Sequence, residues 1–137
     1  MKTIVVAYDE TPESERALDR AVTIAKALDS HLVVTSVAPV MVSVGRATGA
    51  IDPTDTPHDH IEELKHAREY LKSQGVEADY IPAVGHPDAA IVEVAKEQNA
   101  DLVVIGTREV GFVKRALGQS VSEGVVHKVE CDLLIVH

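Results

Sequence analysis

The hydrophobic period of this chain switches repeatedly between two patterns. Short continuous apolar runs give way to stretches whose apolar residues recur at helical spacing. Thr3 to Ala7 is a β-rich run closed by Asp9-Glu10. Thr11 then caps a helix, with Pro12 at its first position and Glu13 in its first turn. Leu18, Ala21, Val22, Ala25 and Leu28 follow on one face. Leu32 to Val37 is a second strand, ended by Pro39. Val40 to Pro57 lacks periodicity and reads as a long surface loop. A second helix runs from about His58 to Gln74, with Ile61, Leu64, Ala67 and Leu71 inward and Gly75 as its stop.

Val76, Ala78, Tyr80, Pro82 and Val84 alternate with mostly polar residues. A strand that alternates and holds a proline belongs at a sheet edge, where a missing N–H is harmless. Gly85-His86-Pro87 leads into a third helix with Ile91, Val92 and Ala95. Leu102 to Ile105 is apolar throughout, as expected of a strand covered on both faces. The connection after Gly106 exceeds the usual length for a strand-to-helix loop. Ser120-Val121-Ser122-Glu123 is a capping box that starts the last helix, and Leu133 to Val136 is the closing strand.

Such alternation predicts an α/β fold: one domain over residues 1–137, with an open five-stranded parallel sheet and helices on both faces. Right-handed crossovers, an edge third strand and a buried fourth favour the order 3-2-1-4-5, a Rossmann-like arrangement. Ligands of open sheets bind beyond the carboxyl ends of the strands, where the winding reverses. That crevice would be lined by Asp9 and Glu10, by Val37 to Val40, and by the segment from Gly106 to Ser120. Gly106, Gly111 and Gly118 allow backbone N–H groups to approach an anion, and Arg108, Lys114 and Arg115 add positive charge. The same glycines also suit a solvated loop that only needs turns.

Charge narrows the partners. A net charge of −9 disfavours binding to nucleic acid or a membrane surface. The 3% aromatic content, without tryptophan, leaves little for stacking on bases. No apolar run approaches the ~20 residues that cross a bilayer, and the N-terminal run is too short for a secretory signal. Cys131 is the single cysteine; it reads as a semi-buried filler compatible with a reducing compartment. His58-Asp59-His60 lacks a third ligand at metal spacing and reads as a solvated helix start. His86 reads as a turn residue. No Ser-His-Asp pattern or Walker-type Gly-Lys-Ser/Thr sequence is present.

Several segments together resemble the universal stress protein family. They are Ile4 to Asp9 followed by Ser14-Glu15-Arg16-Ala17-Leu18, Gly85-His86-Pro87 leading into Ile91-Val92, Asp101 to Thr107, and Ser120 to Glu123. The resemblance covers essentially the whole chain. It implies a cytoplasmic, usually dimeric stress-survival protein with no established catalytic reaction. The dimer would form by pairing of the edge strand Leu133 to Val136.

Nucleotide-binding members carry G-x2-G-x9-G-[ST], whose amides and hydroxyl cradle phosphates. Here the first position is Gly106 and the last Ser120, while the two middle positions fall on Glu109 and Gln119. Gly111 and Gly118 lie close enough to form a shifted cradle. The resemblance thus implies contacts to ATP or another adenine nucleotide, with Mg²⁺, from Asp9, Val37 and Gly106. It further implies contacts from Arg108, Gly111, Gly118, Ser120 and Val121. Asp9 also suits a plain turn, and Val37 a plain core position. Two other readings stay open: a dimeric adaptor independent of nucleotide, and slow ATP hydrolysis, for which no base is evident.

Overall fold

The computed structural model describes residues 1–38, 57–107 and 121–137. Five strands, β1 (Thr3–Ala7), β2 (His31–Ala38), β3 (Ala78–Val84), β4 (Leu102–Gly106) and β5 (Asp132–Val136), form one parallel sheet in the order β3-β2-β1-β4-β5. This is the order expected from the sequence. Among the described residues four helices accompany them: α1 (Pro12–Leu28), α2 (Pro57–Ser73), α3 (Pro87–Glu97) and α4 (Val121–Lys128). The expected loop over Val40 to Pro57 lies outside the described residues except for Pro57, which opens α2 instead, and the expected connection after Gly106 lies outside them except for Thr107.

The sheet is buried on both faces, which explains the unbroken apolar runs in its central strands. On one face Ile4, Val6, Leu32, Val34 and Val104 pack with residues of α1 and with Leu64, Ala67 and Leu71 of α2. On the other, Val5, Val33, Val103 and Ile105 pack with Ile91, Val92, Val94 and Ala95 of α3 and Val125 of α4. Two expected core residues lie outside. Ile61 is half exposed, because at about 100° per residue it stands roughly a quarter-turn from the centre of the stripe formed by Leu64, Ala67 and Leu71. Leu28 is half exposed at the last position of α1, where the chain turns at Asp29 in a left-handed conformation.

The two edges differ in chemistry. The Gly85 N–H donates to the Ala38 carbonyl at 3.0 Å. The two-residue period of a strand therefore turns Ala83 and Ile81 toward β2, and the nitrogen of Pro82 toward solvent. On β5, Asp132 donates to the Asp101 carbonyl and the Val136 carbonyl accepts from Thr107. Leu133 and Ile135 thus present their N–H and C=O groups outward. No helix among the described residues is long and apolar enough to cross a membrane.

Candidate functional site

The winding reverses between β1 and β4, which are hydrogen-bonded neighbours at the centre of the sheet. Their carboxyl ends bring together residues almost a hundred positions apart. The turn after β1 is built by side chains. The Asp9 Oδ1 accepts from the Thr11 N–H at 3.1 Å and the Thr11 hydroxyl at 2.6 Å. The Thr11 Oγ1 in turn accepts the Ser14 N–H at 3.2 Å, which caps α1. The buried Ser14 hydroxyl donates to the Thr11 carbonyl and accepts the Asp9 N–H. Asp9 is therefore held in place by three hydrogen bonds from two residues of one turn, Thr11 and Ser14, while its Oδ2 has no partner among the described residues.

Glu10 takes a positive φ of 66°, an unusual conformation for a residue with a side chain. Its Oε1 lies 3.0 Å from the His66 Nδ1, linking the turn to α2. Beside it the Ser36 hydroxyl donates to Glu63 at 2.6 Å. Buried Tyr8 lies in this acidic surrounding. Burial, then Glu15, Glu10, Glu63 and Asp9, push its hydroxyl up to about 12. The described residues around Tyr8 are thus mainly acidic, and a polyphosphate beside them would need compensating cations.

Gly106, the last residue of β4, packs directly against α1. A Cβ there would lie 2.8 Å from the backbone C and O of Glu13. Only a glycine lets the tip of β4 come this close to the first helical turn. The Thr107 N–H, one residue past the end of β4, donates to the Val136 carbonyl of β5 at 3.0 Å. Val37 is half-buried near the end of β2, packed with the α3 side of the core.

Of the residues singled out in the sequence, Asp9 and Gly106 come to neighbouring strand ends, and Val37 lies on the next strand, β2. Val121 begins α4. Arg108, Gly111, Gly118 and Ser120 lie outside the described residues, as do Glu109 and Gln119. His86 is the N-cap residue of α3 and makes no side-chain capping bond. No cluster of three or more His, Cys, Asp or Glu suited to a metal occurs among the described residues. Two clefts, of about 360 Å³ beside Arg68 and Tyr80 and about 300 Å³ beside Cys131, include none of Asp9, Val37 or Gly106.

Sequence reading missed the Glu10–His66 link and the Ser36–Glu63 bond. Neither has a local signature, because each joins a strand end to a helix far along the chain. A lone glycine inside the last helix, Gly124, signals a close approach in general but does not name the residue it meets.

The arrangement offers a fixed carboxylate oxygen to N–H or O–H donors of a ligand, beside a side-chain-free strand end. Comparison with known proteins bears on which ligand. The profile of the universal stress protein family matches residues 1–137. A universal stress protein of Bacillus subtilis is 32% identical, with 97% of each chain covered. A crystal structure of a universal stress protein in complex with cAMP is 30% identical, with a TM-score of 0.74 and coverage of 99% of this chain and 97% of that one. A universal stress protein from Archaeoglobus fulgidus in complex with dAMP is 25% identical, with a TM-score of 0.76 and coverage of 100% and 98%.

Proposed function

The chain belongs to the universal stress protein family, and from that premise we propose that it is a cytoplasmic stress-response module that binds an adenine nucleotide weakly and acts as a homodimer. The observation that carries this reading is the meeting of Asp9 and Gly106 at the winding reversal, one with an available acceptor and the other without a side chain. The complexes with cAMP and dAMP formed by similar folds support adenine as the common part.

The Asp9 Oδ2 accepts a ribose hydroxyl or an exocyclic amine, never a phosphate, because an ionised carboxylate only accepts. Val37 contributes apolar surface for the base. Phosphates fall to the segment holding Arg108, Gly111, Gly118 and Ser120, with Val121 opening the helix that follows. Mg²⁺ would offset the acidic surroundings recorded by Tyr8. Release of an adenine nucleotide from freshly purified protein after acid denaturation, read by mass spectrometry, supports the assignment. Protein that carries none and takes up none from millimolar ATP contradicts it.

The dimer follows from the edges. Pro82 withholds an outward N–H on β3, whereas Leu133 and Ile135 of β5 keep theirs. Leu133, Leu134 and Ile135 are also only partly buried. Antiparallel pairing of two β5 strands about a two-fold axis satisfies both the backbone and this apolar surface.

Glu109 and Gln119 favour a second reading, a dimeric adaptor that needs no nucleotide. At ~5 Å and an effective dielectric near 20, one carboxylate against one phosphate charge costs about 3 kcal/mol. Replacing both residues (Glu109→Gly, Gln119→Gly) should then tighten ATP binding by up to about a hundredfold. A double variant that also binds no ATP favours the adaptor.

A further inference from the structure

α4 is only eight residues long, yet it carries a glycine at its fourth position, where glycine weakens a helix relative to alanine. The neighbouring helix supplies the reason. A Cβ on Gly124 would fall 2.7 Å from the Asp88 Cβ and 2.8 Å from its Cγ, with the carboxylate oxygen Oδ2 nearer still. One turn along the same face of α4, the Lys128 Nζ donates to that Asp88 oxygen at 2.9 Å. One carboxylate therefore meets both residues: the absent side chain lets α4 in, and the lysine holds it.

Val125, between them, is fully buried with the α3 side of the core. Burial alone would raise the Asp88 pKa. The Lys128 hydrogen bond and charge, with the Ala89 N–H, hold it below the usual carboxylate range, so the clamp is ionised at neutral pH.

We propose that Asp88 is a positioning residue for the nucleotide site: through Gly124 and Lys128 it sets how closely α4 packs on α3, and so where the first turn of α4 meets the ligand. This rests on the nucleotide reading above and adds to it a residue on α3, outside the expected phosphate segment. Asp88 stands in the first turn of α3, and α4 begins at Val121. A shift of α4 away from Asp88 therefore moves a helix start whose partial positive charge acts only over short range.

Calorimetric titration with Mg-ATP tests the proposal on the whole protein, using Gly124→Ala, Asp88→Ala and the double variant, each with a melting curve and hydrogen exchange of the α4 amides. Gly124→Ala should weaken binding about tenfold, or about 1.4 kcal/mol. Asp88→Ala, which releases Lys128 without introducing a clash, should weaken binding by no more than about threefold. The double variant, in which loss of the carboxyl makes room for the new methyl, should match Asp88→Ala rather than Gly124→Ala. A purely structural role would lower the melting temperature without moving affinity. That result, or a double variant as weak as Gly124→Ala, overturns the proposal.

If the unmodified protein binds no ATP, the nucleotide reading fails, and with it the positioning role. Exchange then judges the clamp by itself: faster α4 exchange in Gly124→Ala, reversed in the double variant, keeps it, and unchanged exchange removes it. Should Gly124→Ala not fold, Asp88→Asn preserves shape while removing the charge on Lys128's partner. Faster α4 exchange and weaker ATP binding in that variant support the proposal; wild-type values in both overturn it.

Discussion

Gly106 at the end of β4 lies against the main chain of Glu13 in the first turn of α1, with no room for a Cβ between them. This contact joins the two halves of the winding at the point where it reverses. Asp9 stands four residues before Glu13, fixed by Thr11 and Ser14. One contact therefore sets the distance between the turn after β1 and the chain leaving β4.

The first prediction concerns that contact. Gly106→Ala must push β4 or α1 aside, because the atoms it meets are backbone rather than the end of a flexible side chain. Overpacking of this kind costs about 1–3 kcal/mol. The urea midpoint should fall with an unchanged slope. A midpoint equal to that of the unmodified protein would mean the two segments are not held this close.

Alkaline pH provides the second. The Tyr8 hydroxyl is raised from 10.0 to about 12, chiefly by burial and then by Glu15, Glu10, Glu63 and Asp9. The unfolded chain therefore loses this proton first. Stability is complete below the unfolded value of 10.0 and declines as pH rises toward 12. Tyr8→Phe should flatten that decline in denaturation curves taken at intervals between the two values. It should not abolish the decline, because Tyr70, hydrogen-bonded to Asp19, is also raised to about 12. Identical slopes in the two proteins would show that Tyr8 is not buried among carboxylates.

Assembly is tested at a single backbone group. Leu133→Pro removes an outward N–H near the start of β5 while leaving the inward bonds of Asp132 and Val136 to the β4 side. Light scattering should give twice 14.7 kDa for the unmodified protein and a single chain for the variant. A variant that stays dimeric places the interface elsewhere.

Much of the fold was readable because its local signals agree with one another. Thr11 and Pro12 mark the start of α1, and the Thr11 side chain caps it as expected. Pro82 marks an edge and occupies one. The continuous runs at Val5 and Val103 mark strands covered on both faces, and both residues are fully buried.

Ile61 and Leu28 went astray because a helical period gives a stripe but neither its centre nor where the neighbouring elements stop. That Asp9 and Gly106 come to neighbouring strand ends was legible from topology alone. The link from Glu10 to His66 and the contact of Asp88 with Gly124 were not, since each depends on how far one element packs into another. Arg108, Gly111, Gly118 and Ser120 remain readings of sequence, carried by their order and by the resemblance to the family.

Calorimetric titration of the purified protein with Mg-ATP, beside Asp9→Ala, addresses the nucleotide pocket most directly. Saturable heat at one nucleotide per chain is expected, with a dissociation constant between about 10 μM and 1 mM, weakened at least about tenfold in the variant. No heat from the unmodified protein at millimolar ATP, or equal affinity in the two proteins, would contradict a nucleotide pocket built around Asp9 and Gly106.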